Sequence, residues 1–166
     1  NSSILVAKKV MEILNDEKKY NYGGFWVRFV ASIIDSIVIY IIHSISALVF
    51  FGTMFPMPQD PESMQLEYFF SGQYMGYSIF SLLLDVVYYA GMQSSSKQAT
   101  IGKMAFDLKV VRTDGSRITF LRGVGRYFSK IVSAIILMIG YIMAAFDSRK
   151  QALHDKIADT MVIYEK

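Results

Sequence analysis

The sequence contains no cysteine, only two histidines and only three prolines among its 166 residues. Without cysteine, neither a disulfide framework nor a thiolate metal site can form. The histidines, His43 and His154, are predicted to lie at different depths, so we expect no zinc site. The three prolines (Pro56, Pro58 and Pro61) fall within one short polar segment, where they end any helix.

Charged residues are also scarce. They make up 19% of the chain, whereas a soluble domain carries about 25%, and long stretches hold almost none. Three apolar segments result, at about residues 25–52, 74–92 and 124–146. A membrane-spanning helix needs about 20 apolar residues, and the first two segments satisfy this length.

The third apolar segment is less regular. Its uninterrupted part, Ile131–Phe146, is short and has Gly140 near its centre. It can therefore cross once, re-enter the membrane or make two short passes, provided that protein or water covers any irregular backbone. We predict an all-α membrane protein, a small helical bundle of two to three spans with a re-entrant or short third hydrophobic segment.

A polar segment between the second and third apolar runs has the pattern of a small β-hairpin. Leu108–Arg112 and Arg117–Phe120 flank Thr113-Asp114-Gly115-Ser116, and Asp-Gly between β-rich runs is a strong hairpin signal. An open strand edge cannot lie in hydrocarbon, because its backbone groups would be unpaired. We therefore expect this hairpin outside the lipid, in the cytoplasm.

The distribution of lysine and arginine predicts the orientation, because these residues are retained on the cytoplasmic side. The segment between the first two spans has none, whereas residues 93–123 hold six: Lys97, Lys103, Lys109, Arg112, Arg117 and Arg122. Residues 1–22, an amphipathic segment, hold Lys8, Lys9, Lys18 and Lys19. We expect a cytoplasmic N-terminus, with the proline-rich loop outside.

The C-terminal region resembles an earlier part of the chain. Lys150-Gln151-Ala152 matches Lys97-Gln98-Ala99, and a strand-like run follows each, at Asp159–Ile163 and Asp107–Val111. If the two copies are structurally equivalent, both lie on the same side of the membrane. The segment between them would then enter and return rather than cross once.

Charged side chains interrupt the first two spans at Arg28, Asp35, His43 and Asp85. Such residues are costly at membrane depth and usually face a bundle interior. We expect Arg28 to pair with a carboxylate of the cytoplasmic segments, and Asp35 and Asp85 to interact across helices. These polar residues fit a structural seam between helices, an ion or proton path, or a docking site for another membrane protein.

Several enzyme and ligand motifs are absent or incomplete. Gly102-Lys103 resembles the end of a phosphate-binding loop, but Lys97 and Met104 replace the required glycine and hydroxyl residue. An intramembrane aspartyl catalytic pair would require a Gly-x-Gly-Asp motif, and none accompanies Asp35 and Asp85. We predict no catalytic residue, no metal and no cofactor. We expect the basic segments to contact anionic lipid headgroups and not nucleic acid.

Four blocks of sequence, in order, resemble the RDD family of bacterial membrane proteins. They are Gly24–Phe29 leading to Ile34-Asp35, Gln98–Lys103, Leu108–Val111 and Phe146–Lys156. The resemblance covers about Gly24–Tyr164, and we assign residues 23–166 to an RDD-type membrane domain. It implies a bacterial plasma-membrane location. It also implies a signature formed by Arg28, Asp35 and Asp147, with Asp155 as the alternative last member, and a cytoplasmic motif that includes Lys103, His154 and Asp155.

The resemblance leaves two functions open. Some family members have been proposed as accessory proteins that control a membrane partner such as a peptidase, and others as cation/proton antiporters. Two or three spans with few charges make a poor monomeric transporter. We therefore expect a non-enzymatic accessory or regulatory subunit with a membrane protein partner or a homo-oligomeric state. The alternative is a cation/proton antiporter that uses intramembrane carboxylates.

Overall fold

The computed structural model describes residues 3–8, 10–11, 20–54, 69–135 and 139–165. Its elements, in chain order, are helix α1 (Phe25–Phe51), helix α2 (Gly72–Val86), a π-helical turn (Val87–Gly91), helix α3 (Met92–Ser94), helix α4 (Ile101–Met104), strand β1 (Leu108–Arg112), helix α5 (Phe120–Ile135), helix α6 (Ile139–Phe146), helix α7 (Leu153–Ile157) and strand β2 (Thr160–Tyr164). Residues 3–8 and 10–11 are also helical. The proline-rich loop falls outside the described residues.

Two helices in the described part of the chain are long and apolar enough to cross a membrane. They are α1 and the continuous helix Gly72–Ser94, which confirms the first two predicted spans. Glycines bound α1: Gly24 precedes it, and Gly52 ends it in the left-handed conformation with φ of 69°. At 1.5 Å per residue, α1 is about 40 Å long, more than the thickness of the hydrocarbon core.

The surface of α1 is apolar where a soluble protein would be polar. Trp26 and Val49 are 74% and 79% exposed, and Ile37 is 55% exposed. Soluble monomers rarely show such extended apolar surface, whereas lipid covers it without cost. The helices therefore have the surface that a bilayer requires.

The third apolar segment is a re-entrant helical hairpin. α5 and α6 contact each other closely, since a Cβ placed on Gly140 of α6 would lie 2.8 Å from Cβ of Ser133 in α5. The start of α5 and the end of α6 both connect to the small sheet. Both ends of the segment therefore lie at the same end of the helices, as the predicted re-entry requires; residues 136–138, between the two helices, lie outside the described part.

The small sheet has two antiparallel strands, with Val110 of β1 opposite Val162 of β2. A small β structure was predicted, but its expected pairing is wrong. The Asp114-Gly115 turn does form, with Gly115 at φ of 82°, yet Arg117 makes only an isolated bridge to Val111. The reason is length, because α5 begins at Phe120 and leaves too few residues for a second strand. β2 offers five residues with a buried apolar face.

The chain that precedes α1 and the chain on both sides of the re-entrant hairpin meet at this sheet. Tyr22 forms a bridge with Ile163, and the N–H of Gly23 donates to the carbonyl of Val162 at 3.0 Å. A buried cluster joins the sheet to α1 and consists of Ala31, Leu108, Val110, Ile118 and Val162. The segment before α1, the polar segment after α3 and the C-terminal segment therefore share one end of the helices, as predicted.

The internal similarity is a structural repeat. Residues 95–107, here the first elbow, and residues 147–159, the second elbow, each follow a helix, contain a short helix and end at a left-handed aspartate before a strand. Equivalent positions are Gln98 and Lys150, Asp107 and Asp159. The left-handed residues define which positions of the two elbows are structurally equivalent. This structural alignment is offset by one residue from the Lys-Gln-Ala match in the sequence.

Candidate functional site

The second elbow contributes the most buried carboxylate of the site. Asp155 is fully buried and contacts the guanidinium groups of Arg28 and Arg126; its Oδ1 lies 2.5 Å from Nη2 of Arg126. The N–H of Ala152 donates to its Oδ2 at 3.0 Å. Arg28 therefore pairs with a carboxylate of a polar segment outside the first span, as expected.

Arg28 also ties α1 to the chain that precedes it. Its Nε donates to the carbonyl of Gly23 at 2.7 Å. Arg28 therefore joins α1, the second elbow and the edge of the sheet. A lysine could not bridge all three, because only a guanidinium presents several N–H groups in fixed directions.

Burial and charge set the protonation of the second elbow. Burial opposes ionisation of Asp155, but the adjacent Arg126 and Arg28 hold the pKa of its carboxyl well below the ordinary value. Burial lowers the pKa of His154 to about 3, and Arg126 and Lys130 add to that effect while Asp155 opposes it. His154 is therefore neutral beside an ion pair at physiological pH.

The first elbow is held by Asp35 of α1. The Oδ1 of Asp35 accepts from the N–H of Gly102 at 2.7 Å and from the hydroxyl of Tyr88 at 2.8 Å, and its Oδ2 accepts from the hydroxyl of Thr100 at 2.6 Å. The Nζ of Lys103 lies 3.8 Å from Oδ2. Asp35 thus interacts across helices, as expected, and its acceptor positions are occupied.

The two elbows present opposite charges at equivalent positions. In the structural register Lys103 corresponds to Asp155, and α1 meets them with Asp35 and Arg28. Burial lowers the pKa of Lys103 to about 8, while Asp35 raises it. Arg28 and Asp35 lie seven residues apart on one helix, a separation of about 10 Å. They therefore do not pair with each other, and each binds one elbow.

A second polar contact lies deeper in the spans. The Nε2 of His43 is 3.0 Å from Oδ1 of Asp85, and the hydroxyl of Tyr127 donates to Oδ2 of Asp85 at 3.1 Å. The predicted interhelical role of Asp85 is therefore observed, with His43 of α1 and Tyr127 of α5 as its partners. Asp35 and Asp85 have separate partners.

Asp147, assigned by resemblance to the family signature, lies at the start of the second elbow. It pairs with Lys156 and accepts from the N–H groups of Arg149 and Gln151, each at 3.1 Å. Burial raises the pKa of its carboxyl, but Lys156 and the two N–H groups lower it by more. The pKa of Asp147 therefore lies below its ordinary value. The carboxylate that contacts Arg28 is Asp155, the alternative candidate for the signature.

A cavity of about 720 Å³ separates α1 from the re-entrant hairpin. Its lining contains the site residues Arg28, Asp35, His43, Asp85, Lys103, Arg126, Lys130 and His154. The remaining lining is mainly aromatic and aliphatic, including Phe25, Phe29, Ile39 and Tyr40. In the described part of the chain no group of three histidine, aspartate or glutamate residues could hold a metal ion.

Sequence reasoning missed Arg126 and Lys130. Their signal was present, because Arg122, Arg126 and Lys130 recur every four residues and therefore share one face of α5. It also missed the roles of Thr100 and Tyr88, which bind Asp35. A hydroxyl in an elbow or a span has no pattern of its own, so only the fold identifies its acceptor.

Two apolar spans, a re-entrant hairpin and polar elbows clamped to the first span define a helical membrane protein. The profile of the RDD family matches residues 22–159. The chain therefore belongs to the RDD family, as the sequence blocks indicated, and the family and its relatives place it in a membrane.

Two of the similar proteins carry names that describe them as uncharacterized. The chain is 38% identical to "Uncharacterized protein YxaI" of Bacillus subtilis (strain 168), over 86% of this chain and 97% of that protein. It is 37% identical to "Uncharacterized membrane protein YteJ" of the same organism, over 87% and 82%. It is 32% identical to a "Proline-rich antigen homolog" of Mycobacterium tuberculosis, over 49% and 34%. No solved structure matches the chain.

The buried His154 predicts that acid destabilises the protein. Its pKa is about 3 in the fold against an ordinary value of 6.5, so below about pH 6.5 the unfolded chain binds a proton that the folded chain excludes. We expect a loss of about 2 kcal/mol at about pH 5 relative to neutral pH. Thermal unfolding in detergent across this range measures it.

His154→Gln provides the control for this pH dependence. The variant should flatten the dependence between about pH 5 and 6.5. Loss of stability from Asp155, whose pKa lies below its ordinary value, begins only at lower pH. An unchanged slope in His154→Gln would show that another group takes up the proton.

Proposed function

We propose that this chain is a non-enzymatic accessory or regulatory subunit of another membrane protein. The observation that carries the proposal is that the carboxylates of the site bind the chain itself. Asp35 accepts three hydrogen bonds from two other segments, the second span and the first elbow, and Asp155 contacts two arginines. These residues clamp the elbows to α1, a structural task that leaves no free general acid, base or nucleophile among them.

Exposed apolar surface supports a binding role. The N-terminal helical stretch, residues 3–8 and 10–11, leaves Ile4, Leu5 and Met11 at least 65% exposed. Burying one such side chain contributes about 1.5–3 kcal/mol, so this stretch offers a partner a substantial contact. Membrane partners of the peptidase class remain among the candidates.

Cation/proton exchange is not favoured. An exchanging carboxylate must release its partners to bind a cation, but Asp35 would give up hydrogen bonds from Tyr88, Thr100 and Gly102 together. Each hydrogen bond to a charged group contributes about 1.5–3 kcal/mol. Asp85 has fewer partners, so it is the residue with which to test exchange.

The proposed setting is the bacterial plasma membrane, with several passes and a cytoplasmic N-terminus. Lysines and arginines concentrated in residues 93–123 support this orientation. The elbows and the sheet then face the cytoplasm, where their basic surface meets anionic headgroups. We propose no nucleic-acid partner.

The test is purification of the tagged full chain in mild detergent. We expect one membrane protein to co-purify in fixed proportion, and tagging that protein should recover this chain. Leu5→Asp should reduce recovery at least tenfold by placing a charge in the contact. Lys8→Gln on the same helical stretch is the matched control and should leave recovery unchanged.

Two results would contradict the accessory role. One is recovery of the chain only as a monomer or only with copies of itself. The other is proton flux, driven by a cation gradient across reconstituted vesicles, that exceeds the flux of empty vesicles and is abolished by Asp85→Asn.

A further inference from the structure

The cavity between α1 and the re-entrant hairpin has the dimensions of a ligand site. Its volume of about 720 Å³ lies within the range of roughly 300–1,000 Å³ that holds small molecules. Its lining on α1 extends from Phe25 to His43, about 27 Å along the helix axis. The space is therefore long as well as large.

Positive charge exceeds negative charge around this cavity. Four cationic side chains line it: Arg28, Lys103, Arg126 and Lys130. The described carboxylates already have partners, since Asp155 meets two arginines, Asp35 meets Lys103 and Asp85 meets His43. Only three carboxylates thus stand against four arginine and lysine side chains.

Among the described residues, Lys130 is the one of these four cations that has no carboxylate partner. Its Nζ lies 4.4 Å from the ring centroid of Tyr89, and the described part of the chain gives it no carboxylate at ion-pair distance. A lysine at membrane depth is costly without an anion. A cation–π contact compensates an ammonium group less than an ion pair does, so this lysine still lacks an anionic partner within the described ranges.

Arg126 provides a second, independent sign of a missing anion. It is only 2% exposed, and its Nε and Nη1 have no hydrogen-bond acceptor among the described residues. Buried donors of this kind are ordinarily satisfied, and an unsatisfied charged donor costs more than a neutral one. Arg126 and Lys130 are one helical turn apart on α5, so a single compact oxyanion can reach both.

The other walls suit a hydrocarbon chain. Phe29 and Tyr40 line the cavity and are also 43% and 57% exposed on the surface of α1. The cavity margin therefore reaches the surface that lipid chains cover. A ligand with one charged end and an apolar body fits this lining better than a free anion does.

We propose that this cavity binds a membrane amphiphile with a phosphate-type oxyanion, which meets Arg126 and Lys130 while its hydrocarbon chain lies along α1 between Phe29 and Tyr40. The site is distinct from the basic surface of the elbows, because the anion enters the bundle. It does not depend on the accessory role. A lipid headgroup and free phosphate share the oxyanion chemistry, so the experiment must separate them.

The test uses the delipidated full chain in detergent and native mass spectrometry, with phosphatidylglycerol as the probe. We expect one tightly held phosphatidylglycerol per chain and no comparable retention of phosphatidylcholine. Lys130→Gln should weaken retention about tenfold, the loss of one charge-assisted contact, while Lys130→Arg should preserve it. Thermal unfolding without lipid establishes that both variants are folded.

Lys97→Gln is the matched control, because Lys97 is an exposed cation of the first elbow. It should leave retention unchanged. Equal loss in Lys97→Gln and Lys130→Gln would assign binding to general surface attraction and overturn the proposal. So would equal retention of phosphatidylcholine, or stabilisation by inorganic phosphate that equals stabilisation by phosphatidylglycerol.

Discussion

Asp155→Ala is expected to prevent the folded protein from accumulating. The substitution leaves the guanidinium groups of Arg28 and Arg126 without their shared carboxylate. Removing one partner of a buried ion pair costs about 3–5 kcal/mol, a large part of the 5–15 kcal/mol that stabilises a typical fold. Size-exclusion chromatography of a fluorescent fusion in detergent, followed by thermal unfolding, measures the effect.

Asp159→Asn is the matched control for Asp155→Ala. Asp159 ends the same elbow and accepts from Arg122 at 2.9 Å, but this pair is solvent-exposed. An exposed ion pair contributes only about 0–1 kcal/mol, so the control should fold normally. Equal losses in the two variants would show that the buried triad of Arg28, Asp155 and Arg126 does not stabilise the elbow.

The same assay separates the two candidates for the last signature residue. Asp147 pairs with Lys156 and binds two backbone N–H groups of its own elbow, so Asp147→Asn should cost about 1 kcal/mol. If Asp147→Asn lowered the stability of the protein more than Asp155→Ala does, the fold would depend more on Asp147 than on Asp155.

The sequence predicted those features that depend on the composition of one segment. The spans follow from the length of apolar runs, and α1 at Phe25–Phe51 matches the predicted 25–52 closely. Arg28 was assigned a cytoplasmic carboxylate for a physical reason, the cost of an unpaired charge near lipid. The argument required a partner but could not choose among the carboxylates.

Features that depend on distant pairing were predicted less well. The Asp114-Gly115 turn formed as predicted, yet β1 pairs with β2 at Thr160–Tyr164. Local turn chemistry specifies a reversal of the chain but not which strand covers the buried edge. The internal repeat contained that information, because two equivalent strands can pair symmetrically about Val110 and Val162.

The cavity could not be predicted from the sequence. It exists because α5 enters and α6 returns beside α1, which leaves space between elements that are far apart in the chain. Arg126 and Lys130 lie in the third apolar segment, 124–146, and the sequence analysis assigned them no role. The structure turns them inward, where the same charges become a potential binding determinant.

Gly102→Ala is the second substitution with a large expected effect. A Cβ at Gly102 would lie 2.0 Å from the carbonyl oxygen of Ala31 and 2.9 Å from Cγ of Asp35. The nearest contact is with a backbone oxygen, which cannot move aside as the end of a flexible side chain could. The first elbow must shift away from α1, which costs about 1–3 kcal/mol for the overlap.

The shift would also weaken the hydrogen bonds that Gly102 and Thr100 donate to Asp35 at 2.7 and 2.6 Å. Together these losses should destabilise the fold by about 3 kcal/mol or more. Gly125→Ala is the matched control, because a Cβ on Gly125 in α5 meets no atom within 4 Å and alanine favours helix. Thermal unfolding should rank Gly125→Ala at or above the unmodified protein and Gly102→Ala well below it; equal melting temperatures for the two variants would show that the first elbow does not rest directly on the backbone of α1.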